Sequence, residues 1–236
     1  MTAHNPDASP YLHLSQSPIP RPPSLTDLAY ARIRDALLLG ELAPGDVLSV
    51  VKLANALDMS RSPVRAAAER IAAEGLLVQR GSNLLVRQMR RQDLLDALQV
   101  RGPLESLATT LATPLLDAGV LQRLEDIHEG FARAVSADNT TVARRADLEF
   151  HQTVQERSQN PVLIEHLERL QAQVILATYS AAWGASQHQA VEEHRAILDC
   201  LNAKDSSAAG LAALHHVEAA RSRVTTEWPE STPSGD

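Results

Sequence analysis

Ser60-Arg61-Ser62-Pro63-Val64-Arg65 decides how the first third of this 236-residue chain is read. A proline in the first turn of a helix lacks only an N–H that would have had no intrahelical partner, so Pro63 marks a helix start. Ser60 or Ser62 is placed to cap that helix or to bond a phosphate. Arg61 and Arg65 stand four residues apart and share one face. The helix is predicted over about 61–74 and stops at Gly75. Upstream, Ser24 caps a run in which Leu25, Leu28, Ala29, Ile33, Ala36 and Leu37 keep helical spacing until Gly40. Pro44-Gly45 is a turn, and a short helix is expected at about 50–57. Downstream, Leu76-Leu77-Val78-Gln79 and Leu84-Leu85-Val86 flank Arg80-Gly81-Ser82-Asn83, which predicts a β-hairpin.

Three helices and a hairpin make a winged helix-turn-helix. In that arrangement the first residues of the second helix of the motif enter the DNA major groove, and an arginine there reads guanine or clamps phosphate. Arg80 and Gly81, at the hairpin tip, suit a wing lying on the minor groove or the backbone. Arg61, Arg65 and Arg80 taken singly also fit ordinary solvated surface charge.

Charge is divided unevenly along the chain. The formal net charge is −7, from 22 Lys and Arg against 29 Asp and Glu. Residues 25–91 hold ten bases and seven acids, net +3, whereas residues 92–236 hold eleven and twenty-one, net −10. An acidic half repels DNA phosphate and a slightly basic half attracts it, so two units with different partners are expected. Aromatic residues are only 3% and apolar residues 44%, with Ala and Leu abundant, which favours helix in a soluble globular protein. No apolar run reaches the length of a membrane span, and no secretory signal opens the chain. The single Cys200 excludes an internal disulfide and any multi-cysteine metal site, and a cytoplasmic location is expected.

Six of the thirteen prolines fall in residues 1–24, which are expected to be a disordered arm; residues 229–236 are expected to be a disordered tail. Between them lie a winged helix-turn-helix at 25–88 and an all-helical unit at 89–228. The latter is predicted to contain helices at about 91–112, 114–136, 140–158, 161–181, 188–203 and 206–225, with Gly102-Pro103 as a kink site. Short connections make them antiparallel neighbours in a bundle. The fold class is therefore mainly α, a three-helix-plus-hairpin head followed by an antiparallel helical bundle.

Four polar residues of the bundle stand out. Asp147 and His151 are one helical turn apart and converge on one face. His194 lies on the inward stripe of Val191, Ile197 and Leu201, and a further histidine lies on the last helix among Ala209, Ala213 and Ala220. One carboxylate and three imidazoles suit Zn²⁺, and also Ni²⁺, Mn²⁺ or Fe²⁺. With nine histidines in the chain, hydrogen-bonded core histidines are the competing explanation, and periodicity does not choose between His215 and His216. His128, His166, His188 and His215 are read as surface residues. Arg101 puts a charge on the apolar stripe of Leu94, Leu98 and Leu104. Its guanidinium needs an acceptor, either an internal acid such as Glu105 or the carboxylate of a ligand. Asn160, before Pro161, is read as a loop cap and also as a candidate ligand contact.

Tyr30, Ile33-Arg34, Leu38, Gly40, Leu42, Pro44-Gly45, Leu48, Leu53-Ala54, Leu57, Ser60 to Arg65, Glu74-Gly75-Leu76 and Gly81 together resemble the GntR family of bacterial transcriptional regulators. Residues 93–222 resemble the FCD effector domain of its FadR-like branch, through Arg101 with Leu104-Glu105, Asp147-Leu-Glu-Phe-His151, Asn160, Glu193-His194-Arg195 and His216-Val217. Ala66 and Ala68 stand where the family usually has Glu and Leu, Ser49-Val50-Val51 lacks a common charge, and the wing lacks its second glycine. These departures bear on the operator sequence. The resemblance implies DNA contact by Arg34, Ser60, Arg61, Ser62, Arg65, Arg80 and Gly81. It implies a divalent metal on Asp147, His151, His194 and His216, selecting His216 over His215, and a small organic acid held by Arg101 and Asn160. It further implies a homodimeric repressor on a double-stranded operator. A metal-free regulator with a structural dimerisation bundle is the alternative. A metalloenzyme is disfavoured, because Glu149 points away from Asp147 and no HExxH or Ser-His-Asp set supplies a base.

Overall fold

The computed structural model describes residues 22–178 and 187–227. The chain begins with α1 (Leu25–Leu39), β1 (Val47–Leu48), α2 (Val50–Ala56), α3 (Arg61–Ala73), β2 (Leu77–Arg80) and β3 (Asn83–Val86). Ser24 and Asp27 form a reciprocal capping box at the start of α1, and Gly40 closes it in the left-handed conformation, φ 81°. β2 and β3 form the expected hairpin, with Arg80 opposite Asn83 across a two-residue turn. Gly81 takes the positive φ, 61°, that such turns require. The two-residue β1 was not expected: it pairs antiparallel with β3 and gives a three-stranded sheet of order β1-β3-β2.

The remainder is helical: α4 (Arg91–Ala112), a 3₁₀ turn (Thr113–Leu115), α5 (Ala118–Ser136), α6 (Thr140–Arg157), α7 (Pro161–Thr178), α8 (Gln187–Asn202) and α9 (Ser206–Glu227). The helix predicted from 114 begins at 118 instead. Pro114 supports only a 3₁₀ turn, and Asp117 then caps α5 by accepting from Val120 N. α4 stays helical through Pro103, whose ring lies on the exposed side. Of the helix expected over 161–181, residues 179–181 lie outside the described residues, as do most of the expected N-terminal arm and the whole C-terminal tail.

The head's core gathers Ala29, Ile33, Leu37, Val64, Ala68, Ile71, Leu77 and Val86, and Ala172, Ile175 and Leu176 of α7 are part of the same cluster. A separate core joins α5, α6, α8 and α9 through Leu124, Phe150, Val154, Leu198, Leu201 and Ala209. α4 and α9 approach closely at Gly210, where a Cβ would come within 3.1 Å of the Ser106 carbonyl oxygen. Among the described residues no helix is long and apolar enough to cross a membrane.

Candidate metal centre and nucleic-acid interface

Three helices bring three imidazoles together. α6 carries His151, α8 carries His194 and α9 carries His216; all are buried, and one ring nitrogen of each lies within 4.8 Å of the others. Asp147, one turn before His151, places Oδ1 3.4 Å from His194 Nε2 and 3.9 Å from His151 Nε2. All four residues singled out from the sequence thus meet at one point. The inward residue of the 215–216 pair is His216, while His215 is exposed.

One carboxylate bonds the outer edge of a ring and a second stands near another. Glu193 Oε2 lies 2.8 Å from His216 Nδ1, and Arg223 holds Glu193 with bonds of 2.5 and 3.1 Å. Glu105 Oε1 lies 3.6 Å from His151 Nδ1. It also accepts from Arg101 Nε at 3.0 Å, Arg101 Nη2 at 2.9 Å and Gln155 Nε2 at 3.0 Å. A carboxylate on one ring nitrogen fixes the ring and leaves the other for a cation. His194 is stacked on Phe150 at 4.5 Å between centroids, with Phe131 at 5.1 Å.

His151 Nε2 and both ring nitrogens of His194 make no hydrogen bond among the described residues. Buried polar atoms nearly always have a partner, so an unpartnered nitrogen on each of these two rings, beside Asp147, fits a divalent cation. Burial, reinforced by the neighbouring histidines, pushes the His194 pKa well below the usual imidazole range, which leaves its ring neutral as a metal donor requires. His216 is shifted down by burial as well. Burial alone would raise Glu105, but His151 and Arg101 beside it hold its carboxyl down at about 2. The three imidazoles could hold a divalent ion, and Asp147 lies close to two of them.

Next to the imidazoles is a cavity of about 30 Å³, lined among others by Arg101, Arg144, Asp147, Gln171, His216 and Arg223. That is room for about one water. Asn160 is not among its lining residues; its Oδ1 accepts from Leu163 N and caps α7. Arg223 and Gln171 carry no motif in the sequence, and Glu193 stands there only as part of Glu193-His194-Arg195, without a role. Arg223 follows His216 by seven residues, two turns on the same face of α9, which is the spacing that points to it. His128, expected at the surface, is buried at 5% exposure, because α5 turns it inward beside Ile127 and Phe131.

In the head, Ser60 takes the N-cap position of α3 without a side-chain cap bond. Ser60, Arg61, Ser62 and Arg65 are exposed, while Val64, Ala67, Ala68 and Ile71 of α3 face the core. Arg80 and Gly81 are exposed at the hairpin tip. Arg34 lies elsewhere. Its Nε is 3.3 Å from Glu74 Oε2 and its Nη2 donates to the Glu168 carbonyl at 3.0 Å, at the junction of head and bundle.

The sequence pattern of the FCD domain matches residues 96–219, more than half of the chain, and that of the bacterial regulatory proteins of the gntR family matches residues 25–83. The chain belongs to the GntR family. This GntR regulator is 30% identical over 200 residues to the Probable D-xylose utilization operon transcriptional repressor of Paenarthrobacter nicotinovorans, covering 80% of this chain and 85% of that one. With the HTH-type transcriptional regulator LutR of Bacillus subtilis (strain 168) it shares 29% over 202 residues, 75% and 91% of the two chains. The solved structure of E. coli McbR/YncC matches with a TM-score of 0.77 at 25% identity, covering 86% of this chain and 97% of that one. A GntR regulator from Rhodococcus sp. RHA1 has the same fold, with a TM-score of 0.74 at 21% identity over 86% and 99% of the chains. The winged-helix head and helical bundle are those of a GntR regulator with an FCD domain. It is a transcriptional regulator, not an enzyme, of a family that binds DNA operators.

Proposed function

We propose that this regulator is a homodimeric repressor whose bundle, residues 89–228, holds a divalent metal and a small carboxylate that together govern operator binding by the head, residues 25–88. The observation that carries this reading is the set of unpartnered buried imidazole nitrogens beside Asp147. Asp147, His151, His194 and His216 are the metal donors, zinc being the best match to three imidazoles and one carboxylate, with nickel, manganese or iron as alternatives. A divalent ion held there would supply a Lewis acid able to attract an anionic effector. Glu193 holds the His216 ring in orientation, and the Glu105 carboxylate stands beside the His151 ring.

The effector site is the cavity wall formed by Arg101, Arg144 and Arg223, whose guanidinium groups favour an anion. Arg101 is already engaged by Glu105, so the acid shares that guanidinium rather than finding it empty. In the head, Arg61 and Arg65 with Ser60 and Ser62 read a half-site in the major groove, and Arg80 and Gly81 place the wing. Arg34 joins them only when its bonds to Glu74 and Glu168 open. A dimer puts two such heads on a near-palindromic site.

The test is operator binding on a duplex selected from a random library by the full chain. Titrations run with zinc alone, with zinc plus lactate, malate or gluconate, and with chelator. Loading is expected to change the operator Kd by about fivefold or more, the scale of ordinary coupling between sites. Equal Kd values in every condition, with zinc shown to be bound, contradict the reading.

A further inference from the structure

Helix α7 has two faces in use. Gln171, Val174, Ile175 and Thr178 line the cavity beside the imidazoles. Ala172, Ile175 and Leu176 are packed in the core of the head with Ile33, Leu37, Ala68 and Ile71. The wall of the cavity and the floor of the head are thus the same two turns of helix.

α7 also holds the far end of α3. The last carbonyls of a helix have no intrahelical partner and must be satisfied from elsewhere. Here Arg169 Nη2 donates to the Ala73 carbonyl, and Gln173 Nε2 donates to the Glu74 carbonyl at 2.9 Å. The fit is close. A Cβ on Gly75, which has φ 81°, would come within 3.2 Å of Arg87 Nη1 and 3.3 Å of Gln173 Nε2, so the α3 terminus fits closely against the α7 side chain on one side and Arg87 on the other. The exposed Arg61 and Arg65 stand at the opposite end of this same 13-residue helix.

Between Arg169 and Gln173 sits Gln171, 2% exposed, whose Oε1 has no hydrogen-bond partner among the described residues. An unpartnered acceptor in the wall of a cavity is a place where a change in the cavity's contents is felt. A helix moves as a rigid body over a few residues, so a shift at Gln171 carries Arg169 and Gln173 with it.

We propose that α7 carries the state of the cavity to the recognition helix: Gln171 senses the contents, and Arg169 and Gln173 are positioning residues that set where α3 lies. This rests on the reading of the cavity as a metal and acid site. For coupling, the contents must favour one position of α7 over another; equal affinity for both moves nothing.

The test follows amide hydrogen exchange in residues 69–76 of the full chain, metal-free, loaded with zinc, and loaded with zinc plus malate. Zinc uptake is measured on the same samples. In the wild type, loading is expected to change exchange of this segment about fivefold. In Arg169→Ala/Gln173→Ala the loaded and unloaded rates coincide while zinc uptake is unchanged. A merely structural role would speed exchange in both states and keep their ratio. If the double variant does not fold, Gln173→Leu, which keeps Arg169, is expected to reduce the ratio in part. An unchanged wild-type segment with zinc bound, or a ratio preserved in the folded variants, overturns the coupling. Absence of zinc uptake by the wild type is instead a failure of the metal reading, visible in the uptake itself, and it removes the coupling along with it.

Discussion

Arg101 places a permanent charge in the bundle at 4% exposure, and its acceptor is Glu105 one turn on. Removing one partner of a buried pair strands the other, which typically costs about 3–5 kcal/mol. Arg101→Ala is therefore expected to lower unfolding stability by about that amount in a urea titration, since Glu105 would keep only Gln155 and His151 nearby. A loss under about 1 kcal/mol would mean that Glu105 takes up a proton cheaply in the folded state. Glu193 offers a gentler change. Glu193→Gln keeps the volume but weakens the hold on His216, and a weakened outer partner typically lowers metal affinity about 10–100-fold. A competition titration against a chromogenic chelator reads that loss, and unchanged affinity would detach Glu193 from the site. At this scale the sequence showed that Arg101 faces inward, misplaced His128 at the surface, and offered Glu105 as one of two partners for Arg101. The apolar stripe around Arg101 shows that it faces inward, yet Glu105 and a ligand carboxylate explain that equally well. For His215 and His216 the surrounding pattern was ambiguous, because the stripe residues Leu214 and Val217 flank both.

Among elements, α4 and α9 pack closely at a glycine, Gly210. A Cβ at Gly210 would meet Thr110 Oγ1 and the Ser106 carbonyl of α4. Alanine improves helix propensity by about 1 kcal/mol over glycine. Overpacking of a close helix contact costs about 1–3 kcal/mol. Since Thr110 Oγ1 has to move and the Ser106 carbonyl beside it is already a tight backbone contact, Gly210→Ala is expected to lower the thermal midpoint. A raised midpoint would show that the two helices have room to separate. The long helices were legible because apolar residues recur at helical spacing for many turns, and Ser24, Gly40 and Asn139 cap them with ordinary chemistry. β1 was not legible: only Leu48 of its two residues is buried, and its place is set by backbone pairing with β3, which leaves no sequence period. The break at Thr113–Asp117 was hidden because Leu115 and Leu116 continue an apolar run across it.

Across the whole molecule, head and bundle meet around Tyr30 and Glu74. The Tyr30 hydroxyl donates to Glu74, Arg34 pairs with the same carboxylate, and Arg70 lies 3.8 Å over the Tyr30 ring. Burial, and then the Glu74 hydrogen bond, push the Tyr30 pKa up from 10.0 to about 12. The folded value lies above the unfolded one, so this contribution is complete below pH 10 and is lost as pH rises from about 10 to 12. Tyr30→Phe is expected to be less stable than the wild type at neutral pH, with the difference shrinking over that alkaline range. A constant difference across the range would mean that Tyr30 acts there by packing alone. The division between a slightly basic head and an acidic bundle was readable from charge counts. The docking of the head on α7 was not, since its hydrogen bonds run from side chains to backbone carbonyls and leave no residue pattern.

Metal content per chain, by elemental mass spectrometry on protein purified without chelator, tests the central claim most directly when the wild type is set beside His216→Ala. About one equivalent of a divalent metal in the wild type, much reduced in the variant, is the predicted result. No metal in the wild type, and none taken up on reconstitution with zinc, nickel, manganese or iron, would contradict it.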